Sequence, residues 1–221
     1  MTNFFHDFIS FINVKAVVDA GAVAYLAPLI SHPDAKLKRQ VCCTLAHIAK
    51  HSVDLAEVVV EAEIFPNILN CLRDADTMVR KNAAMCIREV SKHTPELAKL
   101  IVNSGGAAAL VDYITESQGN NKLPGIMAIG YIAAFSETLA LAAIVSKAVL
   151  PLKEALVQEP EDHIKAACAW TLGQIGRHTP DHARALAEGV CVLFVYVCVG
   201  CYCLSVSVCV FVCVLMCMCS V

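Results

Sequence analysis

The sequence lacks the motifs that carry most enzyme chemistry. It contains no glycine-rich phosphate loop, no paired catalytic carboxylates and no Cys/His arrangement suited to nucleophilic catalysis. Its aromatic-rich start, MTNFFHDFISFINVK, lacks the basic n-region, long apolar core and small-residue cleavage site of a secretory signal. The net charge is only −3, which does not mark a nucleic-acid-binding protein. We therefore expect no catalysis, no cofactor or metal, no secretory signal and no nucleic-acid partner.

The last 32 residues, 190–221, lack charge entirely, and 19 of them are Val or Cys. A repeated TG dinucleotide encodes alternating Cys and Val, so this composition favours intron read-through into a microsatellite or an error in the gene model. A membrane anchor is the alternative, because a helix of this length spans roughly 48 Å against a hydrocarbon core of about 30 Å. A zinc site has weak support, since Cys198 and Cys201 form a lone CxxC pair without a nearby His.

The other cysteines lack paired spacing. Eight of the 13 cysteines follow Val190, and the remaining five lie inside apolar helical patterns. This distribution is typical of small buried hydrophobic residues in a reducing compartment and not of a secreted disulfide framework. The five are Cys42, Cys43, Cys71, Cys86 and Cys168.

A repeat of 42 or 43 residues organises the chain before the tail. The pattern HSVDLA at position 51 recurs as HTPELA at 93, FSETLA at 135 and HTPDHA at 178. One apolar position recurs in the same register, as Leu45, Ile87, Ile129 and Leu172. Because a single unit cannot bury its own apolar face, neighbouring units must stack.

Each unit predicts three helices. The first begins after a Ser or Thr that can cap it, and in two copies Pro and an acidic residue follow; these caps are Ser52, Thr94, Ser136 and Thr179. Gly21 and the pair Gly105-Gly106 suit a sharp turn into the second helix. The third helix is the most apolar, as in QVCCTLAHIAK. The predicted fold is an all-α solenoid with three helices in each repeat.

The period and the three-helix pattern resemble the armadillo repeat. In AACAWTLGQIG, the residues Trp170, Leu172 and Gln174 resemble the family's Trp-x-Leu-x-Asn pattern, with Gln in the place of Asn. The resemblance covers about residues 16–189 and implies an armadillo-type α-solenoid of about four repeats and a broken fifth. Residues 1–15 and the Val/Cys-rich tail, 190–221, fall outside it.

Longer stretches resemble armadillo proteins of the ciliary and flagellar central apparatus, among them VRKNAAMCIREVSKHTPELAKLIVNSGGAAALVDYI. This resemblance implies a non-catalytic scaffold of the axoneme that supports motility. It also implies axonemal partners, tubulin or microtubules among them, and a location in the cytoplasm, the cytoskeleton and the cilium or flagellum. Those proteins carry roughly twice as many repeats, so the resemblance further implies a fragment or a truncated isoform.

The resemblance also suggests a partner-binding stripe on the concave face. Importin-like and catenin-like members bind extended peptides through an Asn ladder, because an amide both donates and accepts hydrogen bonds. Here the Asn positions are held by His47, Glu89, Tyr131 and Gln174. We predict a stripe of mixed chemistry, with Trp170 as a clamp for a partner side chain. The alternatives are solvated inner-face residues and a Trp170 packed between repeats.

Charged and histidine pairs allow two further interpretations. Lys38-Arg39 and Arg80-Lys81 recur at the start of the third helix. These residues would either bind an acidic surface such as that of tubulin or form a solvated end of the helix. In the second case nearby aspartates would offset their positive charge. His47 and His51 have metal-ligand spacing. However, His51 lies in the repeat's turn, at the position that His93 and His178 hold in later repeats without a partner histidine, so we predict a structural role.

Two other functions compete with the axonemal scaffold. An importin-like transport adaptor would bind basic peptides, but three of its four expected Asn positions hold other residues. A tail-anchored membrane adaptor would depend on residues 190–221, so we expect a membrane partner only if that tail is genuine.

Overall fold

The computed structural model describes residues 14–187. Most of the expected N-terminal segment, 1–15, and the whole expected tail, 190–221, lie outside these residues. Within 14–187 all regular structure is helical and no strand is present. No single helix of this part is long and apolar enough to cross a membrane. The helices Pro95–Asn103 and Gly106–Glu116, which are bent by 77° relative to each other, have the length and composition of a membrane span only when taken together.

Three helical segments make up each repeat. In the first repeat these are α1 (residues 14–19), α2 (Ala22–Leu26) continued by a 3₁₀ turn (Ala27–Ser31), and α3 (Ala35–His51). The second has α4 (Val53–Val59) with a π-helical segment (Val60–Ile64), α5 (Phe65–Cys71) and α6 (Thr77–Ser91). The third has α7 (Pro95–Asn103), α8 (Gly106–Glu116), a 3₁₀ turn (Gly119–Asn121) and α9 (Leu123–Phe135). The fourth has α10 (Glu137–Val145), α11 (Val149–Gln158) and α12 (Asp162–Gly176), and α13 (Pro180–Ala187) begins the fifth.

The four predicted helix starts are confirmed. Each first helix begins at the residue after the expected Ser or Thr, whose side-chain oxygen accepts a backbone N–H of the first turn. The distances are 3.2 Å at Ser52, 3.3 Å at Thr94, 3.3 Å at Ser136 and 3.1 Å at Thr179. A single local signal therefore sets the repeat boundaries.

The turn between the first and second helices takes two forms. Gly21 and Gly105 adopt left-handed backbone angles, with φ of 87° and 79°, as their small size allows. Lys147 occupies the same repeat position and is also left-handed, with φ of 64°. The second repeat has Glu63 there, and its backbone passes through the π-helical segment instead. The predicted glycine turn is confirmed in two repeats.

The chain divides into two compact units, with the boundary between Leu97 and Ala98. In the first unit α3 packs along α6, and in the second unit α9 packs along α12. Third helices of adjacent repeats therefore stack within each unit. The recurring apolar position lies in these contacts and is at most 2% exposed, at Leu45, Ile87, Ile129 and Leu172. The predicted all-α solenoid is confirmed.

Candidate partner-binding surface

In the first unit, the C-terminal halves of α3 and α6 form a basic surface. His47 and Lys50 are exposed on α3, and the corresponding positions of α6 and its C-cap hold Glu89 and Lys92. Lys92 Nζ donates to the carbonyl oxygen of Lys50 at 3.2 Å, so the two helix ends lie side by side. We call Lys50, Arg88, Glu89 and Lys92 the basic surface.

Glu89 is the buried centre of this surface, with only 5% of the residue exposed. Arg88 Nε donates to one carboxylate oxygen at 2.9 Å, and Lys92 forms an ion pair with the other. Burial acts to raise the pKa of Glu89, but the hydrogen bonds from Lys92 and Arg88 outweigh it and lower the pKa. The carboxylate is therefore ionised and already occupied by two cations.

The basic surface keeps a net positive charge. Lys50, Arg88 and Lys92 contribute three cations, and Glu89 is the sole acidic residue in the sequences of α3 and α6. Arg88 and Lys92 are still 28% and 27% exposed at their side chains. A partner that docks here therefore meets positive charge, and an acidic segment is the complementary ligand.

The N-terminal ends of the same helices are arranged differently. Lys38 forms an ion pair with Asp74, and Arg39 Nε donates to Asp76 at 2.8 Å within a two-point contact. These pairs tie α3 to the loop that precedes α6, so both cations of the predicted pair are engaged inside the unit. Arg80 and Lys81 lie half-buried on α6. Recognition of an acidic surface by these four residues stays a prediction.

In the second unit, the third helices are nearly uncharged and carry an aromatic pair. The rings of Tyr131 on α9 and Trp170 on α12 meet edge to face, with centroids 5.3 Å apart and planes at 70°. A Cβ atom at Gly130 would lie 2.8 Å from Trp170 Cε3, so the glycine makes room for the indole. Trp170 thus packs between the third and fourth repeats, and both rings stay half-exposed.

Gln174 lies one turn beyond Trp170 on α12. Its Oε1 atom is buried and has no hydrogen-bond partner among the residues that the structure describes. The structure therefore brings Tyr131, Trp170 and Gln174 together in one unit, and His47 and Glu89 in the other. A partner-binding role for these five residues stays a prediction.

Two of the three turn histidines, His93 and His178, have the predicted structural role. His93 Nε2 lies 2.6 Å from the carbonyl oxygen of Ala49, and His178 Nε2 lies 2.7 Å from that of Ala133. Both acceptors belong to the last turn of the preceding third helix, where carbonyls lack partners within the helix. The basic residue before each histidine also contacts such a carbonyl, which the sequence analysis missed: Lys92 with Lys50, and Arg177 with Ala134. The recurring basic-His dipeptide was the available signal.

Groups of three or more His, Cys, Asp and Glu side chains that could hold a metal ion are absent from the described part of the chain.

Family models match two segments of the chain. Residues 12–50 match the armadillo/β-catenin-like repeat, and residues 64–94 match the HEAT repeat. Both models describe stacked helical repeats, in agreement with the helices of the first unit.

Curated relatives match over short segments. The chain is 75% identical to human sperm-associated antigen 6 over 36 residues, which are 16% of this chain and 7% of that protein. It is 78% identical to the mouse protein over 32 residues, or 14% and 6% of the two chains. The matches therefore span less than a tenth of the relatives' length.

Solved structures share the fold. A designed armadillo repeat protein in complex with the peptide (KR)4 has a TM-score of 0.82 at 17% identity, covering 93% of this chain and 84% of its own. Another, designed for modular peptide recognition, has a TM-score of 0.85 at 18% identity, covering 96% and 89%. An engineered protein at 25% identity has a TM-score of 0.78, covering 83% and 45%. The chain is thus an armadillo-type α-solenoid that resembles sperm-associated antigen 6 over a short segment.

Proposed function

We propose that the chain is a protein-binding scaffold of the ciliary or flagellar axoneme, where it serves the central apparatus and motility. Armadillo and HEAT solenoids are typically non-catalytic scaffolds that bind peptides or proteins. The observation that carries the axonemal part of the proposal is the 75% identity to sperm-associated antigen 6. It acts from the cytoplasm, on the cytoskeleton of the cilium or flagellum.

The basic surface favours an acidic partner segment. Arg88 and Lys92 already neutralise the Glu89 carboxylate, and Lys50 is exposed nearby, so a further anion gains attraction without displacing Glu89. The acidic surface of tubulin or of another axonemal protein has this chemistry. A basic peptide such as the (KR)4 ligand of the designed neighbour would meet like charge here. This observation disfavours the importin-like adaptor.

The aromatic pair adds a second kind of contact in the other unit. Tyr131 and Trp170 are half-exposed and held edge to face, so an apolar or cationic side chain of a partner can pack on either ring. Rigid aromatic side chains bind at a low cost in conformational entropy.

Affinity capture of axonemal proteins by the full chain tests the proposal. We expect enrichment of tubulin or central-apparatus proteins over cytosolic ones, and weaker capture as salt increases. Lys50→Glu should weaken capture several-fold, because it reverses an exposed charge on the basic surface. Lys99→Glu makes the same charge change on α7, at another exposed position, and is the matched control.

Two outcomes would contradict the proposal. Capture of no axonemal protein would remove its axonemal part. Tighter binding of (KR)4 than of a poly-glutamate peptide would favour the importin-like adaptor. The tail-anchored adaptor stays a prediction, and membrane association that resists carbonate and requires residues 190–221 would support it.

A further inference from the structure

The fourth repeat exposes an apolar surface at the turn between α10 and α11. Leu141 and Val145 on α10 are 48% and 71% exposed, and Leu150 on α11 is 62% exposed. Leu141 and Val145 lie one helical turn apart and share a side of α10. Val145 ends α10 and Leu150 follows the first residue of α11, so the two flank the turn. We call these three residues the apolar face.

The corresponding positions of the other repeats are charged, polar or smaller. The position of Leu141 holds exposed charged residues, namely Lys15, Glu57, Lys99 and Arg184. The position of Val145 holds Asp19, Glu61, Asn103 and Glu188. The position of Leu150 holds Ala24, Pro66 and Ala108. The fourth repeat thus presents apolar side chains to solvent where its neighbours present charge.

Exposed charges lie at the edges of the apolar face. Lys147 lies in the turn, and Glu154 lies one turn beyond Leu150 on α11. Helix α10 itself contains a single charged residue, Glu137 in its first turn. Clustered apolar side chains that remain exposed mark a docking surface, because covering them is favourable in water. The apolar face therefore fits an uncharged, apolar occupant.

The chain itself supplies such a segment close to the apolar face. Helix α13 packs against α12 and α10, and the structure describes the chain as far as position 187, at the end of α13. In the repeat register this position corresponds to Ile144, the neighbour of Val145. Packed helices lie about 8–10 Å apart, and three extended residues span about 10 Å. Residue 190, where the uncharged tail starts, can therefore reach Val145.

The tail also has the required chemistry. Residues 190–221 contain no Asp, Glu, Lys, Arg or His, and most of them are Val or Cys. A charged segment on the apolar face would lose hydration without gaining a partner, whereas an uncharged segment avoids that cost. Attachment to the same chain gives the tail an effective concentration on the order of millimolar at α10. In dilute solution this favours the tail over a second copy of the protein.

We propose that the tail, residues 190–221, binds the apolar face of α10 and α11 within its own chain. The contact depends on apolar character and length, so it holds whatever the origin of the tail. It is independent of the axonemal role, which rests on other residues. A tail bound in this way is withheld from other chains and from lipid.

Photo-cross-linking in the full chain tests the proposal. The photoreactive residue p-benzoylphenylalanine is placed at position 145, and the reduced protein is irradiated in dilute solution, alkylated and digested with trypsin. Trypsin leaves position 145 in residues 123–147, and the whole tail in residues 185–221, because no Lys or Arg follows Arg184. We expect these two peptides to be joined in protein of monomer mass. The same probe in place of Asn103, the matched exposed position of the third repeat, should give a several-fold lower yield.

A charge on the apolar face should release the tail. Leu141→Lys copies the residue that the third repeat carries at this exposed position, and it should lower the yield from position 145 several-fold. Tyr25→Lys removes an exposed apolar side chain from α2 and should leave the yield unchanged. Far-UV circular dichroism checks that each variant keeps its helices.

Three outcomes would overturn the proposal. One is cross-linking at dimer mass only, which would assign the apolar face to a second copy of the chain. Another is an equal yield from positions 145 and 103, which would mean that the tail has no preferred site. The third is the absence of any link between residues 123–147 and 185–221.

Discussion

His93 donates a hydrogen bond through Nε2 to the carbonyl oxygen of Ala49, 44 residues earlier in the chain. The contact satisfies a carbonyl at the end of α3 that has no partner within its own helix. His178 repeats it in the second unit with Ala133. A turn residue of one repeat thus completes the third helix of the repeat before it.

His93→Ala should lower the free energy of unfolding by about 1 kcal/mol, because it leaves a helix-end carbonyl without its donor. Urea unfolding followed by far-UV circular dichroism measures the change. His47→Ala removes an exposed histidine from α3 and should have little effect. Equal losses in the two variants would show that the contact with Ala49 contributes nothing.

Gly130→Ala should destabilise the second unit by about 1–3 kcal/mol, because the added methyl group would overlap Trp170 and Thr171. Trp170 is the sole tryptophan of the chain, so its fluorescence reports on this site directly. Combining Gly130→Ala with Trp170→Leu should cost less than the sum of the single changes. Additive losses would contradict a direct clash between the two positions.

Lys147→Gly should stabilise the protein by up to about 1 kcal/mol, since a left-handed backbone is costly for a residue with a Cβ atom. Gly105→Ala is the matched change in the opposite direction, at the same repeat position. It should destabilise by a similar amount, and urea midpoints compare the two. A loss of stability in Lys147→Gly would mean that the lysine side chain contributes more than the backbone strain removes.

Acid should destabilise the first unit through Glu89, Asp74 and Asp76. The pKa of each is lowered in the folded chain. At Asp76 the causes are hydrogen bonds from Arg39 and from backbone N–H groups. At Asp74 and Glu89 burial acts to raise the pKa, but hydrogen bonds outweigh it. Their contribution is complete above the ordinary carboxyl pKa of about 4 and is lost as the pH falls through the lowered values. Unfolding free energies at several acidic pH values test this.

Glu89→Gln is the variant for that series. It removes one of the three carboxyl groups, so its stability should depend less steeply on pH in acid than that of the unchanged chain. Asp112→Asn alters an exposed carboxylate in the other unit and provides the comparison. Identical acid profiles for Glu89→Gln and the unchanged chain would rule out a contribution from the Glu89 ion pairs.

Local chemistry explains which parts of the fold could be predicted. Ser52 and Thr94 cap helices through side chains that bond three residues away, so a short pattern sets each boundary. The spacing of Leu45 and Ile87 likewise follows from one apolar position in each repeat. Such features depend on neighbours in the sequence and are visible there.

Tertiary contacts explain the rest. Lys147 carries no sign of a left-handed turn, because that conformation is imposed by the repeat around it. Glutamate usually lies at the surface, whereas Glu89 is buried in ion pairs with Arg88 and Lys92. The mutual packing of Tyr131 and Trp170 requires two helices from different repeats. Of the four residues of the basic surface, the sequence predicted only Glu89 as a candidate; Lys50, Arg88 and Lys92, and the ion pairs at Glu89, were not predicted.

The histidine contacts also govern the order in which a growing chain can mature. A ribosome adds Ala49 to the chain 44 residues before His93, and Ala133 45 residues before His178. Each of these third helices thus waits for one more repeat to emerge before its last turn is completed. Structure should advance along the nascent polypeptide one repeat behind its emergence from the ribosome.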